Sequence, residues 1–352
     1  MPYACPKNAR IMPVSKHVDQ CSCTRRWLTG YTVFAIPELM LLIMEDIALP
    51  EIISLGMTCK LLWTLAKDII VNRYNALITP FVGINIKQFN LLTHNHRLLI
   101  TGSCALRMVL PRSSYRPRDL NLLVPITAFE DVNHFLTQTL AYARVTSAPH
   151  PAVKGHIADF GKFQKGPRCI TVSAAFWDRD ILDITLASPT TAGMIVMTAG
   201  AIALFYPDLT LQKIGLARQR RWEMTGTEPL GNVSELGFAV RENIAFLEGP
   251  CGKLCPSKWH TPRDISNSTL KILTWDTRFP VREYVRTSDV EWRLEPMCSN
   301  PSCLFFDNRQ GRQNLINSPS TAQEIDRQLH AIRTRRPVST IQNIYAENCG
   351  HN

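Results

Sequence analysis

The chain has 352 residues, enough for two or three domains and at least one sizeable core. Hydrophobic residues make up 45% and charged residues 19%, a globular mix that excludes a disordered or fibrous chain. Lys and Arg outnumber Asp and Glu by 39 to 29, a formal charge of +10. That surplus is compatible with nucleic acid, an acidic protein partner or solubility alone. The densest basic runs, Arg218/Arg220/Arg221 and Arg333/Arg335/Arg336, are short, which argues against an extended nucleic-acid interface.

Residues 1–29 mix Cys, Lys, Arg and Pro without the apolar core of a secretory signal, and are expected to lack regular structure. Eleven cysteines in such a chain point to reduced thiols and a cytoplasmic or nuclear location.

Residues 30–82 form the first expected module, a bundle of three short helices. Pro37-Glu38 opens one helix, because proline is tolerated where a helical N–H has no partner and the Glu favours the positive helix end. Leu39, Leu42, Ile43 and Ile47 then make an apolar stripe. Pro50-Glu51 repeats the signal ahead of Ile52, Ile53 and Leu55. A third helix carries Cys59, Leu62, Trp63, Leu65 and Ala66.

The series Ile36-Pro37-Glu38-Leu39, Leu42, Ile43, Leu49-Pro50, Ile53, Leu55, Cys59-Lys60 and Trp63 resembles the F-box, which binds the Skp adaptor of cullin–RING ubiquitin ligases. The resemblance spans about residues 33–75, with Ile36 where Leu is usual. It places Pro37, Leu39, Leu42, Pro50 and Ile53 near the adaptor. The competing reading packs these apolar residues against the rest of the chain.

Residues 83–235 form the second expected module, a mixed sheet with flanking helices. "RLLITGSCALRMVL" is a strand, a turn at Gly102 and a helix from Ser103, a junction whose backbone N–H groups favour an anion. In the next strand, "RDLNLLV", Asp119 and Asn121 share one face and Leu120 and Leu122 the other. "RCITVSAAFW" and "ILDITLA" are expected as a strand pair turning at Asp178-Arg179-Asp180, with Asp183 on the second strand.

This combination resembles the polymerase-beta type of nucleotidyltransferase, which puts Gly-Ser at the first strand–helix junction, two carboxylates on the next strand and a third on a later strand. By that resemblance Gly102, Ser103, Asp119, Asn121 and Asp183 form a nucleotide-like site, with Asn121 in place of the second carboxylate. The stretch from Ser103 to Asp119 is longer than usual. An amide ligates without charge, so Mg²⁺ binding weakens by about 1–3 kcal/mol in a wet cleft. Catalysis needing two metals then largely fails, and Mg²⁺ is expected only if the site is active.

Residues 184–207 carry no charge. Ser188-Pro189 divides them and leaves an apolar run from Ala192 to Phe205, too short to cross a bilayer and expected as a buried helix. "THNH" puts His94 and His96 on one expected strand face, a weaker metal candidate.

Residues 236–317 form a Cys-rich extension. Cys251 and Cys255 are spaced C-x3-C, and Cys298 and Cys303 C-x4-C. Two such pairs in a reducing compartment suit a structural zinc ion, with His260 as a substitute ligand; four unligated thiols or two disulfides are the alternatives. Residues 318–352 are expected to be mostly disordered apart from one short helix.

The fold class is therefore α+β. The expected function is an interaction protein, a fungal-type F-box subunit that presents an unidentified protein target to a ligase and carries an inactive transferase-like domain. A metal-dependent nucleotidyltransferase is the alternative, and a basic RNA-associated protein a weaker one.

Overall fold

The computed structural model describes residues 36–111, 116–218, 231–244, 251–263, 269–279, 281–295 and 298–303. The expected terminal segments 1–29 and 318–352 lie outside these residues. The architecture is mixed α and β, with a central mixed sheet, flanking helices and a C-terminal cluster of cysteines.

Four helices come first: α1 (Pro37–Asp46), α2 (Leu49–Gly56), α3 (Lys60–Val82) and α4 (Ile86–Asn95). Helix α1 starts on Pro37, and α2 carries Pro50 in its first turn, one residue after its start at Leu49. Gly56 lets α2 approach α3: a Cβ there would lie 2.9 Å from both Ala66 Cβ and Trp63 Cε3. Among the described residues no helix is long and apolar enough to cross a membrane.

Strand β1 (Leu99–Thr101) then leads into α5 (Ser103–Val109) and β2 (Asp119–Pro125). After α6 (Phe129–His134) come β3 (Ala143–Val145), β4 (Ile157–Lys165), β5 (Arg168–Ala175) and α7 (Leu182–Leu186). Next are β6 (Ile195–Met197), β7 (Ala201–Phe205) and α8 (Pro207–Leu211). Strands β8 (Ile214–Leu216) and β9 (Ala239–Arg241), with α9 (Gly231–Glu235) between them, form a small parallel pair. Strand β10 (Leu270–Thr274) and α10 (Val281–Thr287) complete the described elements.

The main sheet has eight strands in the order β10-β7-β6-β1-β2-β5-β4-β3. All its neighbours are antiparallel except β2 and β5, which pair in parallel over their full length. Its two faces carry different cores. Ile100, Leu120, Leu122, Val172 and Leu204 share one core with Met40, Met44, Ile70 and Phe89 of the helices. Leu99, Leu123, Val196, Ala203 and Phe205 share the other with α7, α10, Trp292 and three of the cysteines. The N-terminal helices are thus built onto the sheet, and β10, from the expected extension, supplies an edge strand of it.

The run expected as a buried helix, Ala192 to Phe205, is instead the β6–β7 hairpin, with Val196 opposite Ala203. Both strands are buried on both faces, so they present the unbroken apolar run that a helix would. The turn holds Gly200 against the Asp276 carbonyl, where a Cβ would lie at 2.2 Å, and Thr198 Oγ1 donates to the Phe279 carbonyl at 3.0 Å. Residues 178–180 make no hairpin turn either. β5 ends at Ala175, and Asp180 Oδ1 accepts the N–H of Leu182, where helix α7 begins, at 2.8 Å. Asp183 consequently sits on a helix rather than a strand. His94 and His96 lie at the end of α4, not on a strand.

Candidate functional site

Helix α1 divides its apolar residues between two surfaces. Met40 and Met44 are fully buried, whereas Ile36, Leu39, Leu42 and Ile43 are 38, 39, 64 and 45% exposed. Pro37 is exposed as well. Of the five expected partner-binding residues, Pro37, Leu39 and Leu42 stand on the surface, while Pro50 and Ile53 are buried in the helical core. Met57 and Leu61, which the sequence reading did not single out, are 78 and 51% exposed nearby in the chain. Leu61 belongs to a helix whose buried positions include Leu62, Ala66, Ile69 and Ile70, so its place off that stripe was the available signal.

Arg73 on α3 fixes the end of this helix. Its guanidinium donates to the Met44, Glu45 and Ile47 carbonyls at 3.3, 3.1 and 3.2 Å, and to the Met108 carbonyl at 3.2 Å. The first three contacts satisfy carbonyls at the end of α1, where the helix has no further N–H to offer and where positive charge is favoured.

The Gly-Ser and Asp-x-Asn residues do converge, on the sheet face opposite Leu120 and Leu122. Ser103 Oγ donates to Asp119 Oδ1 at 3.2 Å, and Asn121 Nδ2 donates to Asp119 Oδ2 at 2.9 Å. Thr171 Oγ1, on the parallel neighbour β5, donates to Asn121 Oδ1 at 2.5 Å. Gly102 has φ +74°, and a Cβ there would come within 2.7 Å of Asn121 Nδ2. The glycine is therefore needed both for its backbone and for the closeness of the amide. Burial, then the nearby Asp119 charge, pushes the Cys104 thiol up, and its Sγ donates to the Asp119 carbonyl at 3.4 Å.

Both carboxylate oxygens of Asp119 thus accept a side-chain hydrogen bond from this chain. The residue opposite Asn121 on β5 is a hydroxyl, not an acid. Among the described residues, Asp119 and Asp183 belong to no group of three or more potential metal ligands.

The four cysteines do form such a group. The sulfurs of Cys251, Cys255, Cys298 and Cys303 all lie within 4.8 Å of one another. Cys251 and Cys298 approach to 3.4 Å, as do Cys255 and Cys303. A tetrahedral zinc with bonds of about 2.3 Å sets its sulfurs about 3.8 Å apart, inside the observed spread, whereas a disulfide needs about 2.05 Å. Two tight turns supply the thiols. Gly252, at φ +54°, opens the first, and Leu254 N–H donates to the Cys251 carbonyl at 3.0 Å. In the second, Asn300 N–H donates to Cys298 Sγ at 3.4 Å and Cys303 N–H to the Asn300 carbonyl at 3.0 Å.

Burial first, and then the neighbouring cysteine sulfurs, push the Cys251 thiol up to about 12. Burial moves Cys255 and Cys298 in the same direction. Without a cation these thiols stay protonated at neutral pH; a bound divalent ion displaces the protons. His260 is buried beside Tyr206 and Trp292, with ring contacts at 5.9 and 5.6 Å, and is not part of the sulfur group.

The chain matches no protein-family model, no curated protein and no solved structure. Its candidate sites rest on their geometry.

Proposed function

We propose that this chain is an interaction protein whose first helix docks on the Skp adaptor of a cullin–RING ligase, as an F-box does, and whose remainder recruits a protein target. One observation carries the reading. Helix α1 buries its methionines and leaves Ile36, Leu39, Leu42 and Ile43 at the surface, where a partner can cover them. Such an adaptor subunit works in the cytoplasm or nucleus. Full-length chain mixed with a Skp-type adaptor is expected to elute as a 1:1 complex, and Leu39→Asp to elute separately while keeping its melting temperature. A wild-type chain that never co-elutes contradicts the reading.

In this reading the Gly102–Asp119 region is a transferase-like scaffold without the reaction. Ser103 and Asn121 each donate to one of the two oxygens that Asp119 would offer a metal, and Thr171 brings no charge. An active nucleotidyltransferase predicts tight Mg²⁺ or Mn²⁺ binding that Asp119→Ala abolishes. The adaptor reading predicts no such binding.

We further infer that the four cysteines hold a structural zinc ion. Thiolates are soft ligands that suit zinc, and four of them leave no open position for substrate. The ion would supply a crosslink rather than chemistry, tying the turn at Cys251 to the turn at Cys298 against the buried face of the sheet.

A further inference from the structure

A cavity lies beyond the carboxyl ends of β2 and β5, the one parallel pair in the main sheet. Open sheets with parallel strands commonly bind ligands at this end. The cavity encloses about 390 Å³, within the range of small-molecule sites. Asp119 begins β2 and Pro125 ends it, so the cavity is about 20 Å along the strand from the Asp119 network.

Its lining combines cations with aromatic rings. Arg97 and Arg179 reach it, and among the described residues neither forms an ion pair with a carboxylate. The one acid in the lining, Asp180, accepts the N–H of Leu182, the first residue of α7. Trp177 is 87% exposed and Phe176 beside it 37%, an unusual display for rings of this size. Tyr284 donates its hydroxyl to the His94 carbonyl at 3.5 Å, and Arg97 lies over its ring, 5.5 Å from the centroid. Arg97 also has φ +56°, at the helix-ending position where glycine is usual. An arginine held there is an observed backbone outlier beside a cavity, the kind of feature that accompanies ligand clamps.

We propose that this cavity binds a nucleotide unit, its phosphate between Arg97 and Arg179 and its base stacked on Trp177. Guanidinium groups match phosphate oxygens in planar, bidentate geometry. An exposed indole supplies the stacking platform that any base can use. A phosphoserine or phosphothreonine peptide would satisfy the arginines but leave the indole uncovered. The unit is either a free mononucleotide or the 5′ end of a single strand; both carry the same phosphate and base.

The test uses the full chain and titrates AMP, a 5′-phosphorylated RNA octamer, inorganic phosphate and O-phosphotyrosine, read by calorimetry and tryptophan quenching. Saturable AMP binding that weakens about tenfold or more in both Trp177→Ala and Arg179→Gln supports the site, with a free nucleotide as ligand. The same variant dependence with the octamer binding much more tightly supports it with a strand end as ligand. Both substituted residues are exposed, so circular dichroism and melting should not change. The proposal is overturned if neither nucleotide ligand saturates at millimolar concentration, or if both variants bind as wild type. It is also overturned if phosphotyrosine binds more tightly than AMP, which would mark a phosphopeptide site, or if phosphate alone binds as well as AMP, which would leave the indole without a role.

Discussion

Replacing Cys298 by serine tests the zinc crosslink. The ion would join Cys251 to Cys298, 47 residues apart in the chain. Closing a loop of that length removes roughly 4 kcal/mol of unfolded-chain entropy, and breaking the crosslink returns it. In a folded unit of this size each kcal/mol shifts melting by about 2–4 °C, so Cys298→Ser should melt roughly 8–16 °C lower. A strong chelator should lower wild type by a similar amount and leave the variant unchanged. Metal analysis of the purified wild-type chain should give one zinc per molecule. Thiol titration in denaturant with chelator should then count all eleven cysteines of the chain, these four included. A metal-free wild-type chain whose melting ignores the chelator would refute the crosslink, and four unreactive sulfurs would instead establish disulfides.

The same cluster sets a pH dependence whose sign depends on the metal. In the metal-free chain Cys251 is raised from 9.0 to about 12, so the unfolded chain loses its proton first and stability falls as pH rises above about 9. In the zinc-loaded chain protons compete for the thiolates, so stability falls on acidification; melting scans across pH with and without zinc separate the two. Leu42 is 64% exposed, and covering it in a complex is worth about 1–2 kcal/mol, so Leu42→Ala should weaken adaptor binding several-fold or more with little change in melting. Arg73→Met should cost about 2–4 kcal/mol of folding stability, because it strips charge-assisted hydrogen bonds from four carbonyls; denaturant unfolding measures this. Asn121→Asp would set two carboxylates on one strand face and should create Mg²⁺ binding that calorimetry detects, whereas wild type shows none.

Local signals carried the parts of the fold that obey them. Pro37 and Pro50 marked helix starts because a missing N–H is harmless there, and the alternation of Asp119, Leu120, Asn121 and Leu122 marked a two-faced strand. The Cys pairs were visible as spacings, though only the fold brings the two pairs together across 47 residues. Signals failed where burial is two-sided. The β6–β7 hairpin has no polar face, so its sequence carries neither a period of two nor one of 3.6. "ILDITLA" has strand-forming residues, yet it folds as helix α7, so Asp183 sits on a helix. Within the adaptor-facing candidates, Pro50 and Ile53 fit the apolar pattern as well as Leu39 does. Periodicity finds an apolar stripe but does not say which stripe the sheet takes and which it leaves to a partner. The Trp177 cavity was invisible for a related reason: Arg97, Trp177 and Tyr284 are far apart in the chain and share no motif.

Hydrogen exchange of the full-length chain with and without a Skp-type adaptor tests the central claim most directly. The account predicts new protection in residues 36–61 on adding the adaptor, with the main sheet unchanged. Identical exchange of helix α1 in the two samples, at adaptor concentrations that saturate an authentic F-box, would contradict it.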